Sequence, residues 1–332
     1  MDKKKIAELL LLAGAAGAVH AWGKKRRNVT YSKIDEIPTG RPKGSLSAGC
    51  LVVEGGSLRA MYAGGVLDAF MKNNILFDNV IGTSAGALFG YMYVSDQIGR
   101  GARFNLKNRF NPEYVGVQAL LENGSPFGFK YAFDNANTPE EPIDTEAFEN
   151  SPQHFVATAT DCETGKTAFF EKGTGFDMLS CVRASATLPM VSTMAIVNGR
   201  KYLDGGCNDA IPFDWALKKG FDKIIVVRTR ERTYRKDENM GDVEKRLIER
   251  RYDGYPELIN DLLTSDRKYN ESCRELISLE KKKRIFTIAP SVSPNVGRLE
   301  ANLEKLGRLY WLGYHDGEAA IPELKRYLYE NT

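Results

Sequence analysis

The sequence predicts an α/β fold: a mainly parallel central sheet flanked by helices, with a helical C-terminal extension. Three observations predict it. Short apolar runs of strand length alternate with stretches whose apolar residues recur at helical spacing. Two strand-to-helix junctions are rich in glycine, which suits a sharp change of chain direction. The chain has 332 residues, 42% hydrophobic and 27% charged, enough for one large domain with additions and too apolar for a disordered one.

Taken in order, residues 28–46 hold Pro38, Gly40, Pro42 and Gly44 and read as a linker. Residues 48–54 read as a buried strand, 55–60 as its turn and 61–72 as a helix. Residues 77–82 repeat the strand pattern and 85–95 the helical one. Residues 98–145 are polar and broken by Pro112, Pro126, Pro139 and Pro142, so they are expected to form a lid-like insertion of short helices. Residues 155–160 and 167–171 read as a strand pair turned by Glu163, Thr164 and Gly165. A helix over 176–186 is ended by Pro189, and 224–228 is a buried strand. Residues 243–279 are helical and highly charged, and are expected to present a solvated face. A last strand over 286–289 and a closing helical region over 298–329 follow. The organisation read from this is an apolar and basic segment with its linker over 1–46, a sheet domain over 47–235 and a mostly helical extension over 236–332.

Composition narrows the function. Lys plus Arg number 46 against 43 Asp plus Glu, a net charge of +3 that does not favour a nucleic-acid partner. The five cysteines, Cys50, Cys162, Cys181, Cys207 and Cys273, are dispersed, as expected of reduced thiols in the cytoplasm. Three histidines and no zinc spacing speak for no metal, and no cofactor is expected. At the N-terminus, Lys3, Lys4 and Lys5 precede an apolar run from Leu9 to Val19 and then Lys24, Lys25, Arg26 and Arg27. The run is shorter than the ~20 residues that cross a bilayer. It reads as a frayed helix without a role, as a peripheral anchor on an anionic membrane, or as a secretory signal over residues 1–21; the basic residues after it speak against export.

Three clusters carry chemistry. Gly82-Thr83-Ser84-Ala85-Gly86 is a G-x-S-x-G sequence between a strand and a helix, the context of a nucleophile elbow. There Ser84 would project at a helix N-terminus, where the dipole favours developing negative charge. Glu54-Gly55-Gly56-Ser57-Leu58-Arg59 is a second glycine-rich junction. It lacks the last glycine of a dinucleotide fingerprint, where Ala60 stands, and the G-K-[ST] of a P-loop, which leaves an oxyanion cradle or a plain tight turn. Asp204-Gly205-Gly206 reads alone as a turn, but a serine hydroxyl needs a proton acceptor, and with so few histidines Asp204 is a candidate for it.

In this order, oxyanion loop, nucleophile and acid, the chain resembles the patatin-like phospholipase family, which is similar in turn to the cytosolic phospholipase A2 catalytic domain. The segment from Arg183 to Pro189 resembles the stretch before the acid in that family, and 250–256 resembles the C-terminal extension of bacterial members. The resemblance implies a three-layer α/β/α fold and a fatty acyl ester of a lipid as substrate; peripheral membrane contact through the N-terminus is one of the readings of the apolar and basic run. It implies that Ser84 attacks the carbonyl, that Asp204 takes its proton, and that the N–H groups of Gly55, Gly56 and Ser57 hold the oxyanion. Gly82, Gly86, Gly205 and Gly206 would support that geometry. By the same resemblance Arg59 holds the loop or meets a lipid phosphate; read alone it could be a helix salt bridge. Ser57 and Ala60 depart from the family, where glycines are common. An aspartate is a weak base at its usual pKa of about 3.9, so burial is expected to raise Asp204. Two alternatives stay open. One is a Ser–His–Asp triad using His315, although His315 lies in an amphipathic helical stretch. The other is a non-catalytic lipid-binding protein at a membrane surface.

Overall fold

A computed structural model describes residues 30–329. The expectations for residues 1–27 lie outside the described residues. The strands are β1 (Leu46–Val53), β2 (Leu76–Thr83), β3 (His154–Asp161), β4 (Thr167–Glu171), β5 (Ala195–Val197), β6 (Arg200–Asp204), β7 (Ile224–Val227) and β8 (Phe286–Ile288). The helices are α1 (Met61–Lys72), α2 (Ala85–Val94), α3 (Arg100–Asn108), α4 (Val117–Asn123), α5 (Phe129–Phe133), α6 (Thr145–Asn150), α7 (Met178–Ser185), α8 (Phe213–Lys218), α9 (Asp242–Arg251), α10 (Pro256–Lys281) and α11 (Leu303–Tyr329).

One eight-stranded sheet runs β5-β6-β3-β2-β1-β7-β8, with β4 paired to β3 off that path. The pairs β1–β2, β1–β7, β2–β3 and β7–β8 are parallel. β3–β4, β3–β6 and β5–β6 are antiparallel. The sheet is therefore mixed, with a parallel centre. β1 shows why its sequence is apolar throughout: Cys50, Leu51, Val52 and Val53 are all fully buried, as a central strand covered on both faces requires. Alternate residues serve opposite faces. Leu51 and Val53 join the core with α1, α2 and α11, whereas Cys50 and Val52 join Trp215 of α8 and Tyr269, Cys273 and Leu276 of α10. The fold is thus three-layer α/β/α.

Three differences from expectation have physical causes. The β5–β6 hairpin is absent from the sequence reading because β5 has only three residues; its turn places Asn198 and Gly199 at positive φ, 46° and 78°. The expected helical stretch 243–279 is two helices, parted around Gly254 (φ 93°), with Pro256 opening α10. Nor is that stretch only a solvated face, since α10 buries Leu258, Leu262, Tyr269, Cys273 and Leu276. The insertion over 98–145 does form short helices, and its Phe104, Tyr114, Phe127 and Phe129 build a small core of their own. Residues after 235 supply β8 to the sheet and α11 to its first face.

α11 reaches α1 closely enough to exclude a methyl group. A Cβ at Gly313 would stand 2.0 Å from the Tyr62 carbonyl oxygen, and one at Gly65 would stand 2.1 Å from that of Tyr310. Hydrogen bonds flank the contact: Tyr310 donates to Asp68 at 2.9 Å and Tyr62 to Asp316 at 2.9 Å. Gly313→Ala should lower the unfolding free energy by roughly 1–3 kcal/mol through overpacking, read from urea denaturation. An unchanged midpoint would mean that the two helices are free to spread.

Candidate active site

β2 stops at Thr83 and α2 starts at Ala85, so Ser84 alone makes the turn. It adopts φ 56°, ψ −127°, a strained conformation for a residue with a Cβ, which costs about 1–3 kcal/mol and persists only where neighbours impose it. The neighbours are visible. A Cβ at Gly82 would lie 2.6 Å from the Gly86 carbonyl oxygen, and one at Gly86 would lie 2.4 Å from that of Val53, so the elbow closes only around glycine. The Ser84 N–H donates to the Ser185 hydroxyl of α7 at 2.7 Å, while the N–H groups of Ala87 and Leu88 bond the Ser84 carbonyl.

Asp204 arrives from the opposite direction. On β3, Thr158 pairs with Thr83 of β2 and the next residue, Ala159, pairs with Asp204 of β6. The two strand ends therefore meet. The Thr83 and Thr158 hydroxyls bond each other at 2.7 Å, and the Thr160 hydroxyl donates to the Asp204 carbonyl at 2.9 Å. The Asp204 N–H donates to the Thr187 carbonyl at 2.7 Å. The close packing of Gly205 follows, for a Cβ there would stand 2.6 Å from the Thr158 hydroxyl.

The Ser84 hydroxyl donates to Asp204 Oδ2 at 2.6 Å, and the Gly206 N–H donates to Asp204 Oδ1 at 2.8 Å. Both side chains are buried, Ser84 at 5% exposure and Asp204 at 6%. Burial raises the Asp204 pKa above the usual carboxylate range. The hydrogen bonds from Ser84 and Gly206 and the charges of Arg298 and Lys236 oppose that rise without cancelling it.

The glycine-rich loop after β1 lies beside them. A Cβ at Gly55 would approach the Thr83 carbonyl at 3.1 Å and the Ser84 Cβ at 3.2 Å. Gly55 corrects one expectation: its N–H donates to the Ala210 carbonyl at 3.2 Å and is not free for an oxyanion. No hydrogen bond from the N–H of Gly56 or Ser57 occurs among the described residues. Ser57 takes φ 50°, a left-handed conformation that a glycine would adopt more readily, whereas Ala60 at φ −67° needs none.

Below the loop lies a buried polar cluster that the sequence reading did not include. Glu54 Oε2 accepts from the Thr229 N–H at 2.5 Å and Oε1 from the Tyr269 hydroxyl at 2.7 Å. Arg228 stands 3.7 Å from Glu54 and donates to Tyr269 at 3.0 Å. The Thr229 hydroxyl then bonds the Gly55 carbonyl at 2.9 Å, so the cluster ties β7 and α10 to the loop. Ser185 and Thr187 were also missed as individuals, although they lie in the segment singled out for its resemblance.

Arg59 is 8% exposed, its Nε has no partner, and no ion pair to it occurs among the described residues; the helix salt bridge is not formed. Its pKa is lowered to about 10, chiefly by burial and then by the charges of Arg230 and Arg298. Ser84 stands at the junction of two cavities. One is apolar, lined by Met61, Leu88, Phe89, Phe104 and Phe127 among others; the other is polar and contains Asp204, Gly56 and Arg59. His315 lines neither. It is an exposed residue of α11, beside Glu318 at 3.6 Å and stacked on Trp311. Among the described residues there is no group of His, Cys, Asp or Glu suited to a metal, and no helix long and apolar enough to cross a membrane.

Replacing Glu54 with Ala would leave Arg228 buried without its carboxylate. It should cost about 3–5 kcal/mol of stability in urea unfolding. A loss below about 1 kcal/mol would show that the cluster does not hold the loop.

A family model described as patatin-like phospholipase matches residues 51–217, and one described as a domain of unknown function matches 255–329. The chain is 28% identical over 185 residues to the uncharacterized protein YjjU of Escherichia coli, covering 54% of this chain and 51% of that one. It is 27% identical over 179 residues to the uncharacterized NTE family protein Rv1063c of Mycobacterium tuberculosis, covering 53% and 48%. The matched region thus spans about half the length of these curated relatives. Among solved structures the chain is similar to VipD from Legionella pneumophila, at 12% identity and TM-score 0.44, over 84% of this chain and 67% of that one. It is also similar to the type III effector protein ExoU, at 11% identity and TM-score 0.38, over 87% and 55%.

Proposed function

The chain belongs to the patatin-like phospholipase family, and from that premise we propose that it is a serine hydrolase of fatty acyl lipid esters, working through a Ser84–Asp204 dyad. The observation that carries the proposal is the 2.6 Å hydrogen bond from the Ser84 hydroxyl to Asp204 Oδ2, with no imidazole between them.

In the first half-reaction Ser84 Oγ attacks the ester carbonyl carbon and its proton passes to Asp204 Oδ2. The Gly206 N–H holds the other carboxylate oxygen, so the accepting oxygen stays aimed at the serine. The tetrahedral oxyanion is received by the free N–H groups of Gly56 and Ser57 and by the N-terminal end of α2. As the intermediate collapses, Asp204 returns the proton to the departing alcohol and an acyl-serine remains. A water molecule then attacks it with Asp204 as base, releasing the fatty acid and restoring Ser84. The apolar cavity beside Ser84 would receive the carbonyl end of the acyl chain. Burial is what makes the aspartate basic enough for this work. The five cysteines are buried free thiols, which fits action in the cytoplasm, with peripheral membrane contact as the way to lipid.

Two measurements test the reading. On short and long p-nitrophenyl esters, Ser84→Ala and Asp204→Asn should each lower kcat at least ~10³-fold, while His315→Ala stays within about twofold. Loss of activity in a folded His315→Ala protein would favour a triad, and a parent that binds liposomes but hydrolyses no ester would favour a lipid-binding role. The second measurement is the pH profile. Asp204 must be ionised to accept the proton and its pKa is raised, so kcat/KM should fall as pH drops through that raised value, with an acid limb above the ~3.9 of a free aspartate. An acid limb at or below ~3.9 would remove Asp204 as the base.

A further inference from the structure

The polar cavity on the far side of Ser84 holds charges that the hydrolytic steps do not use. It measures about 350 Å³ and is lined by Arg59, Arg230, Arg298 and Lys236 as well as by Ser84 and Asp204. Three carboxylates besides Asp204 also face it, Glu54, Glu244 and Asp266. Glu54 is saturated by Arg228, Tyr269 and Thr229, Asp266 pairs with Lys236 at 2.9 Å, and Glu244 is an exposed residue of α9 at the solvent side. No ion pair to Arg59, Arg230 or Arg298 occurs among the described residues. The three guanidinium groups stand close enough that Arg230 and Arg298 each depress the ionisation of Arg59. Arg59 is more than nine-tenths buried and its Nε lacks an acceptor. Arg230 lies over the ring of Tyr234 at 4.2 Å, which occupies the aromatic face that a quaternary ammonium would otherwise use. Unpaired cations gathered in a cavity lower their energy by taking in a multivalent anion. Guanidinium groups suit phosphate oxygens in particular.

Position turns this into a statement about substrate. An ester carbonyl held at Ser84 with its acyl chain in the apolar cavity directs its alcohol half into the cationic one, since Ser57, Ser84 and Leu188 border both. We propose that Arg59, Arg230 and Arg298 form a phosphate subsite that selects acyl esters whose alcohol half ends in an uncapped, dianionic phosphate, such as an acylglycerol phosphate, over choline-capped and neutral esters. This rests on the hydrolase reading above. Arg230 and Arg298 lie beyond the segment matched by the patatin-like family model, so the selectivity belongs to this chain's later residues.

The test compares three substrates with one oleoyl chain in mixed micelles of a neutral detergent: 1-oleoylglycerol 3-phosphate, 1-oleoylglycerophosphocholine and 1-oleoylglycerol. The full chain should show a kcat/KM at least ~10-fold higher for the phosphate ester than for either other, equivalent to about 1.4 kcal/mol. In Arg230→Gln/Arg298→Gln that ratio should fall below about 2, and Arg298→Lys in the Arg230→Gln background should restore part of it. Equal rates on the three substrates, or a ratio that survives the double substitution, overturn the subsite and leave the hydrolase reading standing. If none of the three is cleaved, the hydrolase reading fails and the subsite is judged by calorimetry on the Ser84→Ala protein. Binding of 1-oleoylglycerol 3-phosphate that disappears in the double variant supports it, and absence of binding overturns it. Inorganic phosphate or glycerol 3-phosphate binding as tightly as the lipid would overturn the headgroup assignment in favour of a site for free phosphate.

Discussion

The candidate site depends on two strands sharing one edge of a third. A strand has two edges. β4 occupies one edge of β3 across Val156–Thr160, so the pairings of β2 up to Thr158 and of β6 from Ala159 onward must lie along the other. β2 runs parallel to β3 and β6 runs antiparallel, so their C-terminal ends face one another at adjoining positions of that edge. Ser84 follows the last residue of β2 and Asp204 is the last residue of β6. The 2.6 Å contact between two residues 120 apart in sequence is thus set by backbone pairing rather than by a loop that must find its place. Ser84 can remain in a strained conformation because the pairing on one side and the close approach of β1 to Gly86 on the other leave it no relaxed alternative.

The proposed Ser84–Asp204 dyad would have a particular electrostatic demand. An aspartate that contacts the nucleophile directly has no imidazole near neutral pKa to mediate, so its own basicity must come from its surroundings. Burial raises the Asp204 pKa, while the Gly206 N–H and the Ser84 hydroxyl, both of which favour the ionised form, oppose that rise. The glycines at Gly205 and Gly206 serve the same end. They let the chain pass against Thr158 and turn an N–H back onto the carboxylate within two residues.

Much of this was legible in the sequence because it is local. The elbow, the loop after β1 and the Asp204-Gly205-Gly206 turn each announce themselves by glycines whose need is created by contacts nearby. α1 was readable to its ends, because the apolar spacing over 61–72 is uninterrupted. What stayed hidden depends on distance in the chain. Neither Glu54 nor Arg228 carries a mark that they meet, and Tyr269 reaches both from a charged helix that reads as a surface element until its apolar stripe is set against the sheet. The role of the Gly55 N–H was equally unreadable, since its acceptor, Ala210, is brought in only by the chain after β6. β5 was too short for its periodicity to count, although Asn198 and Gly199 carried the signal of its turn.

The unpaired arginines connect these two themes. Arg298 acts on Arg59 by repulsion and on Asp204 by attraction, so one side chain couples the loop after β1 to the proposed base. Its charge works against the proposed base, holding the Asp204 carboxylate below the pKa that burial alone would give. A dianion seated among Arg59, Arg230 and Arg298 would offset that charge at close range and let burial act more fully. The same anion would relieve the repulsion from Arg230 and Arg298 that adds to burial in lowering the Arg59 pKa. A substrate carrying phosphate would then strengthen the base that cleaves it, whereas a neutral ester would leave Arg298 pulling on Asp204. Recognition of the alcohol half and activation of the serine would accordingly be two effects of one charge arrangement, which gives a physical reason for three arginines to lie together, unpaired, beside the proposed base.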